Sequence, residues 1–315
     1  MKHKWKLFVC GISISLLLGG CFGVDSGKKS EAKKTDTKQG ELDRPEDVYE
    51  SVLTYTGDGY DLPGGEENEK IAKKHKDEVV KATKDYLKKE YSTDVEVHNM
   101  VGNQDGVTVF YESTGNLHFY STAIVPIDTK AKKVLKDEVT TIEGEVERSI
   151  KTALYALMMP KEFNELDDQI AKILKETPSI TGRTEKAIQN VGGSGYMSPY
   201  YYVQSSSLDE GINAVYEKYL KEPNASKEEF VASYDDSQFE PDFLLYNIHF
   251  FMKDPNAQPE KKIFNNIIEI FEKNNNLPRG RYLINLNDNY IHIRTSEGYK
   301  QNSLSQNPRE GIIKN

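Results

Sequence analysis

The chain has 315 residues, a net charge of −9 and a mean hydropathy of −0.67, and it carries 12 Phe and 19 Tyr. So many large aromatic side chains exclude a wholly disordered polymer, and the negative charge argues against a nucleic acid partner, whose affinity comes largely from Lys and Arg neutralising phosphates. Both cysteines, Cys10 and Cys21, stand near the start, which excludes a cysteine nucleophile, a CxxC redox pair and any thiolate metal centre from residues 22–315.

The first 20 residues follow a secretory plan: Lys2, Lys4 and Lys6, then the apolar run LFVCGISISLLL, then Gly19-Gly20 before Cys21. The run is too short for a permanent membrane helix, which needs about 20 apolar residues. Leu18-Gly19-Gly20-Cys21 resembles the lipobox of bacterial lipoproteins. That resemblance implies S-diacylglycerol on the Cys21 thiol, cleavage before Cys21 and an acyl group on the new amine. The competing reading is a general signal peptide with an incidental cysteine. Residues 21–47 hold almost no bulky apolar side chain after Phe22 and Val24, and they read as a solvated tether.

A globular body is expected over 48–303. Ile71, His75, Val79, Ala82 and Tyr86 recur at helical spacing, predicting one long amphipathic helix from about Glu66 with His75 on its apolar face. The period then becomes two. Val95, Val97 and Val101, then Val107, Val109 and Tyr111, then Leu117, Phe119, Ala123 and Val125 predict a three-stranded antiparallel meander, with turns at Asp105-Gly106 and Thr114-Gly115-Asn116. A seam between two lobes is expected near 127–142 if there are two; otherwise strands from both ends of the chain share one sheet.

The middle reads as mostly helical. One stripe runs from Val146 to Leu157 and stops at Pro160, and another runs from Phe163 to Leu174. Ser207 with Glu210, and Ser226 with Glu229, match the capping-box spacing. FLLYNIHFF at 243–251 fits a buried strand or a helix equally. A helix follows Pro259, and the alternating runs either side of Asn287-Asp288-Asn289 predict a C-terminal β-hairpin, after which 304–315 should fray. The fold class is therefore α+β.

No motif declares a reaction. The glycines of NVGGSGYMSPYYYVQSSS lack the GK[ST] of a phosphate loop, and Tyr196 stands where a G-x-S-x-G elbow around Ser194 needs glycine. The histidines of the body show no HxH or HxxxH spacing, and DDSQFEPD lacks the EF-hand pattern, so neither a metal nor a cofactor is expected. Tyr196, Tyr200, Tyr201 and Tyr202 offer flat amphipathic faces on which a sugar or peptide would stack, which makes them the candidate ligand-binding residues.

YTGDGY, VHNMVGNQDGVTVFYES, LHFYSTAIVPID and NVGGSGYMSPYYY resemble a family of lipoproteins of staphylococci and bacilli, over about Tyr55 to about Tyr299. The family has no assigned activity, so no catalytic residue transfers. The resemblance implies a Gram-positive envelope and lipidation at Cys21. The expected function is a lipid-anchored, non-enzymatic protein on the extracytoplasmic face of the cell membrane, with an envelope protein or glycan as partner. The alternatives are an envelope hydrolase and a solute-binding lipoprotein.

Overall fold

A computed structural model describes residues 44–315. Cys21 and most of the expected tether lie outside these described residues. Residues 44–315 belong to one compact unit, so no seam divides the body at 127–142. The tether also ends earlier than expected: Arg44 donates to the buried Asp288 carboxylate at 2.7 Å, and the amides of Val48 and Tyr49 bond back to Pro45.

The chain enters through β1 (Tyr49–Ser51) and reaches two helices, α1 (Glu66–Lys74) and α2 (Lys76–Tyr91). They replace the single long helix expected. His75 sits at the break with φ −112° and ψ 31°, exposed and 3.5 Å from Glu78 instead of on the apolar face. The break resets the helical phase, so α1 buries Ile71 and Ala72 while α2 buries Val79, Ala82, Thr83, Leu87 and Tyr91.

The meander forms as expected from β2 (Val95–Asn103), β3 (Gly106–Ser113) and β4 (Tyr120–Asp128), extended by β5 (Lys133–Val134) into a four-stranded sheet of order β2-β3-β4-β5. Both faces are covered. Val107, Val109 and Tyr111 join the main core, while Phe110 and Val101 point to a second cluster with Val52, Tyr55, Ala187, Val191, Phe251 and Ile291.

Helices α3 (Glu145–Met158) and α4 (Pro160–Glu176) match the two apolar stripes, and Pro160 opens the second because a first-turn proline loses no helical hydrogen bond. Next come β6 (Ile180–Thr181), α5 (Glu185–Val191), β7 (Tyr196–Met197), β8 (Tyr201–Ser205), α6 (Asn213–Lys221) and α7 (Lys227–Ser233). The Ser226–Glu229 capping box is present at the start of α7, but Ser207 caps nothing: α6 starts at Asn213, and Leu208 is exposed.

All of FLLYNIHFF but Phe243 falls in β9 (Leu244–Met252), which resolves its ambiguity in favour of a strand. It leads through α8 (Lys261–Lys273) to β10 (Gly280–Asn287), and the two strands pair in parallel, as a helical crossover allows. Tyr246 stacks on Tyr282 across this pair at 4.4 Å.

The expected C-terminal hairpin is replaced by a different pairing. The second run forms β11 (Tyr290–His292) and joins β1, not β10. Asn287, Asp288 and Asn289 are fully buried because each side chain holds a neighbouring segment. Asn285, Asn287 and Asn289 donate to the carbonyls of Ile248, Phe250 and Met252 along β9, and Asp288 accepts from Arg44, Lys300 and Asn302. The tail does not fray either. β12 (Leu304–Ser305) and β13 (Ile312–Lys314) both pair with β10, completing a seven-stranded sheet with the path β12-β10-β9-β8-β7. Among the described residues no helix is long and apolar enough to cross a membrane.

Candidate ligand-binding cleft

The four-stranded and seven-stranded sheets meet where Tyr120 and Gly195 exchange backbone hydrogen bonds of 2.9 Å. Beside this bridge lies a cleft of about 560 Å³, within the range of about 300–1,000 Å³ usual for small-ligand sites. Phe110, Thr108 and Thr122 of the meander form one wall, and Tyr202, Gln204 and His249 of the larger sheet form another. The loop 192–200, the end of α5, Tyr60 with Leu62, and Thr295 with Ser296 close the rest. Most of this surface is aromatic or aliphatic.

Local bonding fixes the walls. Thr184 caps α5 by accepting from the Ala187 amide at 3.0 Å, and its hydroxyl donates to the Tyr55 carbonyl at 2.6 Å. Asn190 donates to the Thr56 carbonyl at 2.8 Å, and the Tyr55 hydroxyl donates to Ile293 at 2.8 Å. The segment bearing Tyr60 is thereby tied to both α5 and the 293–296 turn.

The strand period divides the four candidate tyrosines. Tyr202 has its side chain on the cleft side, where it stacks on His249 at 5.4 Å, and Tyr200, just before β8, borders the cleft with its ring 6.3 Å from that of Phe250. Tyr201 also borders the cleft, but its ring points to the opposite face, where its hydroxyl donates to Asp167 at 2.9 Å. Tyr196 is not a lining residue; it stacks on Tyr201 and packs edge-on to Phe163.

Two chemically important groups carry no motif in the sequence, Arg183 and His249. Arg183 follows Gly182, where a Cβ would lie 2.5 Å from both the Pro199 carbonyl oxygen and the Tyr200 ring, so only glycine lets that ring approach. Its Nη1 donates to Ser296 Oγ at 3.1 Å and its Nη2 to the Ser296 carbonyl at 2.8 Å. Ser296 adopts a left-handed φ of 57°, a conformation that a non-glycine residue holds only where its surroundings enforce it. Burial pulls the Arg183 guanidinium below its ordinary pKa. Burial, with a smaller contribution from Arg183, lowers His249 to about 4, which leaves the imidazole neutral at pH 7. Its Nε2 is buried and has no hydrogen-bond partner among the described residues.

Ser194 stands at the border of the cleft, but its hydroxyl is buried and donates to Glu145, with Ser121 Oγ 3.1 Å away. Elsewhere, Glu112 lies between His98 at 3.0 Å and His118 at 3.3 Å, and none of the three lines the cleft. Among the described residues no cluster of His, Cys, Asp and Glu is arranged to hold a metal ion. The acidic loop 235–242 is engaged in ion pairs, Asp236 with Arg279 and Asp242 with Arg281.

A crystal structure of a DUF1672 family protein from Staphylococcus aureus superposes with a TM-score of 0.68 at 20% identity, covering 85% of this chain and 98% of that one, a likeness of fold. A DUF5037 family protein from Ruminococcus gnavus aligns at 12% identity over 67% of this chain and 76% of its own, with a TM-score of 0.27. No curated protein matches. The family model described as "Protein of unknown function (DUF1672)" matches residues 43–314, and the chain belongs to that family.

Proposed function

We propose that this chain is a lipid-anchored protein of the Gram-positive cell envelope that binds a small ligand in the cleft between its two sheets. The cleft itself carries the reading: about 560 Å³, mainly apolar and aromatic, with a few converging polar groups held by a bonded frame. The anchor rests on the order of Lys2, Lys4, Lys6, the apolar run and Leu18-Gly19-Gly20-Cys21. Two acyl chains on Cys21 give stable attachment, since each buried methylene contributes about 0.8 kcal/mol. Residues 22–43 then hold the body on the extracytoplasmic side of the cell membrane, where an envelope glycan, peptide or small acid is within reach.

Two measurements test the reading. Cells fed radioactive palmitate should label the wild-type chain and not Cys21→Ser; equal labelling removes the anchor. In a thermal-shift screen of envelope glycans, peptides and organic acids, a ligand at 100 times its Kd should add about 2.7 kcal/mol. Tyr202→Ala should abolish that shift, and hits indifferent to this substitution would place binding elsewhere.

Hydrolysis is the second reading, and His249 favours it as a neutral histidine in the cleft. It ranks lower because a base with a pKa of about 4 is weak, and no hydroxyl among the described residues is hydrogen-bonded to the His249 ring.

A further inference from the structure

We propose that the cleft selects a carboxylate: Arg183 receives the carboxylate of a small ligand whose flat apolar body lies against Phe110, Tyr200 and Tyr202. The proposal rests on reading the cleft as a binding site and adds the chemistry of its occupant.

Among the described residues lining the cleft, Arg183 is the one Asp, Glu, Lys or Arg. No carboxylate of the described residues pairs with it, although acidic residues outnumber basic ones, 50 to 41, in the chain as a whole. A guanidinium has five N–H donors. Ser296 takes one on each Nη, and the rest have no acceptor among the described residues. A half-buried cation left in this way is costly unless an anion completes it.

The group is also held ready. Both acceptors belong to one residue in a left-handed backbone conformation, and the guanidinium carbon lies 5.9 Å from the centre of the Phe251 ring. A donor fixed before binding loses little freedom when the ligand arrives. The planar fork of a guanidinium matches a carboxylate bidentately. Because His249 stays neutral, the cleft offers a single positive charge, which suits a monoanionic carboxylate better than a doubly charged phosphate ester. The aromatic walls supply the other half of the specification, a flat apolar body.

Two fluorescent dyes of similar ring system separate the charge from the cleft: anionic 8-anilinonaphthalene-1-sulfonate and neutral N-phenyl-1-naphthylamine. Both are titrated into residues 22–315, which retain every described residue. Tyr202→Ala should weaken both dyes. Arg183→Gln should weaken the anionic dye at least tenfold and change the neutral dye less than twofold. If both dyes need Tyr202 but the anionic dye ignores Arg183→Gln, the carboxylate proposal fails and the binding cleft stands. If neither dye needs Tyr202, the cleft reading fails and takes the proposal with it.

Competition in the unsubstituted chain removes any dependence on how Arg183→Gln folds. 3-Phenylpropionate should displace the anionic dye at least tenfold better than the neutral 3-phenylpropionamide. Equal displacement by acid and amide overturns the proposal, and so does stronger displacement by 2-phenylethyl phosphate than by the carboxylate.

Discussion

At the scale of single residues, His249 makes the stability of the body depend on pH. Its folded pKa of about 4 lies below the ordinary value of 6.5 because burial penalises the charged ring. Between these values the unfolded chain binds the extra proton, so stability rises with pH through the window and is fully present above 6.5. Acidification from pH 7 to 4.5 should therefore cost about 2 kcal/mol from this residue, after allowing for the part of the ring that water reaches. Urea unfolding of the wild type and His249→Gln at both pH values checks this: the variant should lack that share of the acid loss. Gly182 is the second test. A methyl group there displaces the Tyr200 ring or the Pro199 carbonyl, so Gly182→Ala should destabilise by about 1–3 kcal/mol and weaken cleft ligands, readable as a lower urea midpoint and a loss of dye affinity. Neither residue announces itself in the sequence. The tyrosines were legible as a group, and period two alone would have sorted Tyr202 from Tyr201. Arg183 was not legible, because its importance is the absence of a partner, which only the folded chain defines.

At the scale of elements, the start of α1 meets β2 backbone to backbone. A Cβ on Gly65 would lie 1.9 Å from the Gly102 carbonyl carbon, and one on Gly102 would lie 2.1 Å from the Gly65 carbonyl oxygen. The start of α1 therefore rests directly on strand backbone. Gly102→Ala should cost about 3 kcal/mol, because backbone on both sides must move. Amide exchange should accelerate in α1 before it does in α4, and an unchanged α1 would show that the helix does not depend on this contact. The element types were mostly readable: β2, β3 and β4 from alternation, α3, α4 and α8 from the 3.6 period, and α7 from its capping box. The partners were not. Alternation around Asn287-Asp288-Asn289 specified two strands, and the turn-like composition suggested that they pair. In the fold those three side chains are buried anchors to β9, Arg44 and Lys300, which sends β11 to β1 instead. The break at His75 was hidden for a related reason, since a phase reset between α1 and α2 leaves the apolar spacing nearly intact.

At the scale of the whole molecule, the two ends of the body are stitched together. Arg44, next to the tether, and Lys300, near the C-terminus, share the buried Asp288 carboxylate. Burial would raise its pKa, but hydrogen bonds and charge from Lys300 and Arg44 outweigh it and hold the group ionised. The last dozen residues finish the same region. Ile284 and Gln306 exchange two hydrogen bonds of 3.0 and 3.1 Å, Ile312 is buried, and Lys314 donates to the Glu272 carbonyl at 3.0 Å. A chain ending at Ser303 loses the burial of Ile312, worth about 2 kcal/mol, and several strand hydrogen bonds of about 1 kcal/mol each. It should be less stable by at least about 3 kcal/mol, and its uncovered β10 edge should promote association between copies. Urea unfolding and light scattering measure the two consequences separately. An unchanged urea midpoint in a monomeric truncated chain would mean that the tail frays after all. A lower midpoint with new association would identify β12 and β13 as the cover that keeps the seven-stranded sheet, and the cleft built on it, closed to other copies.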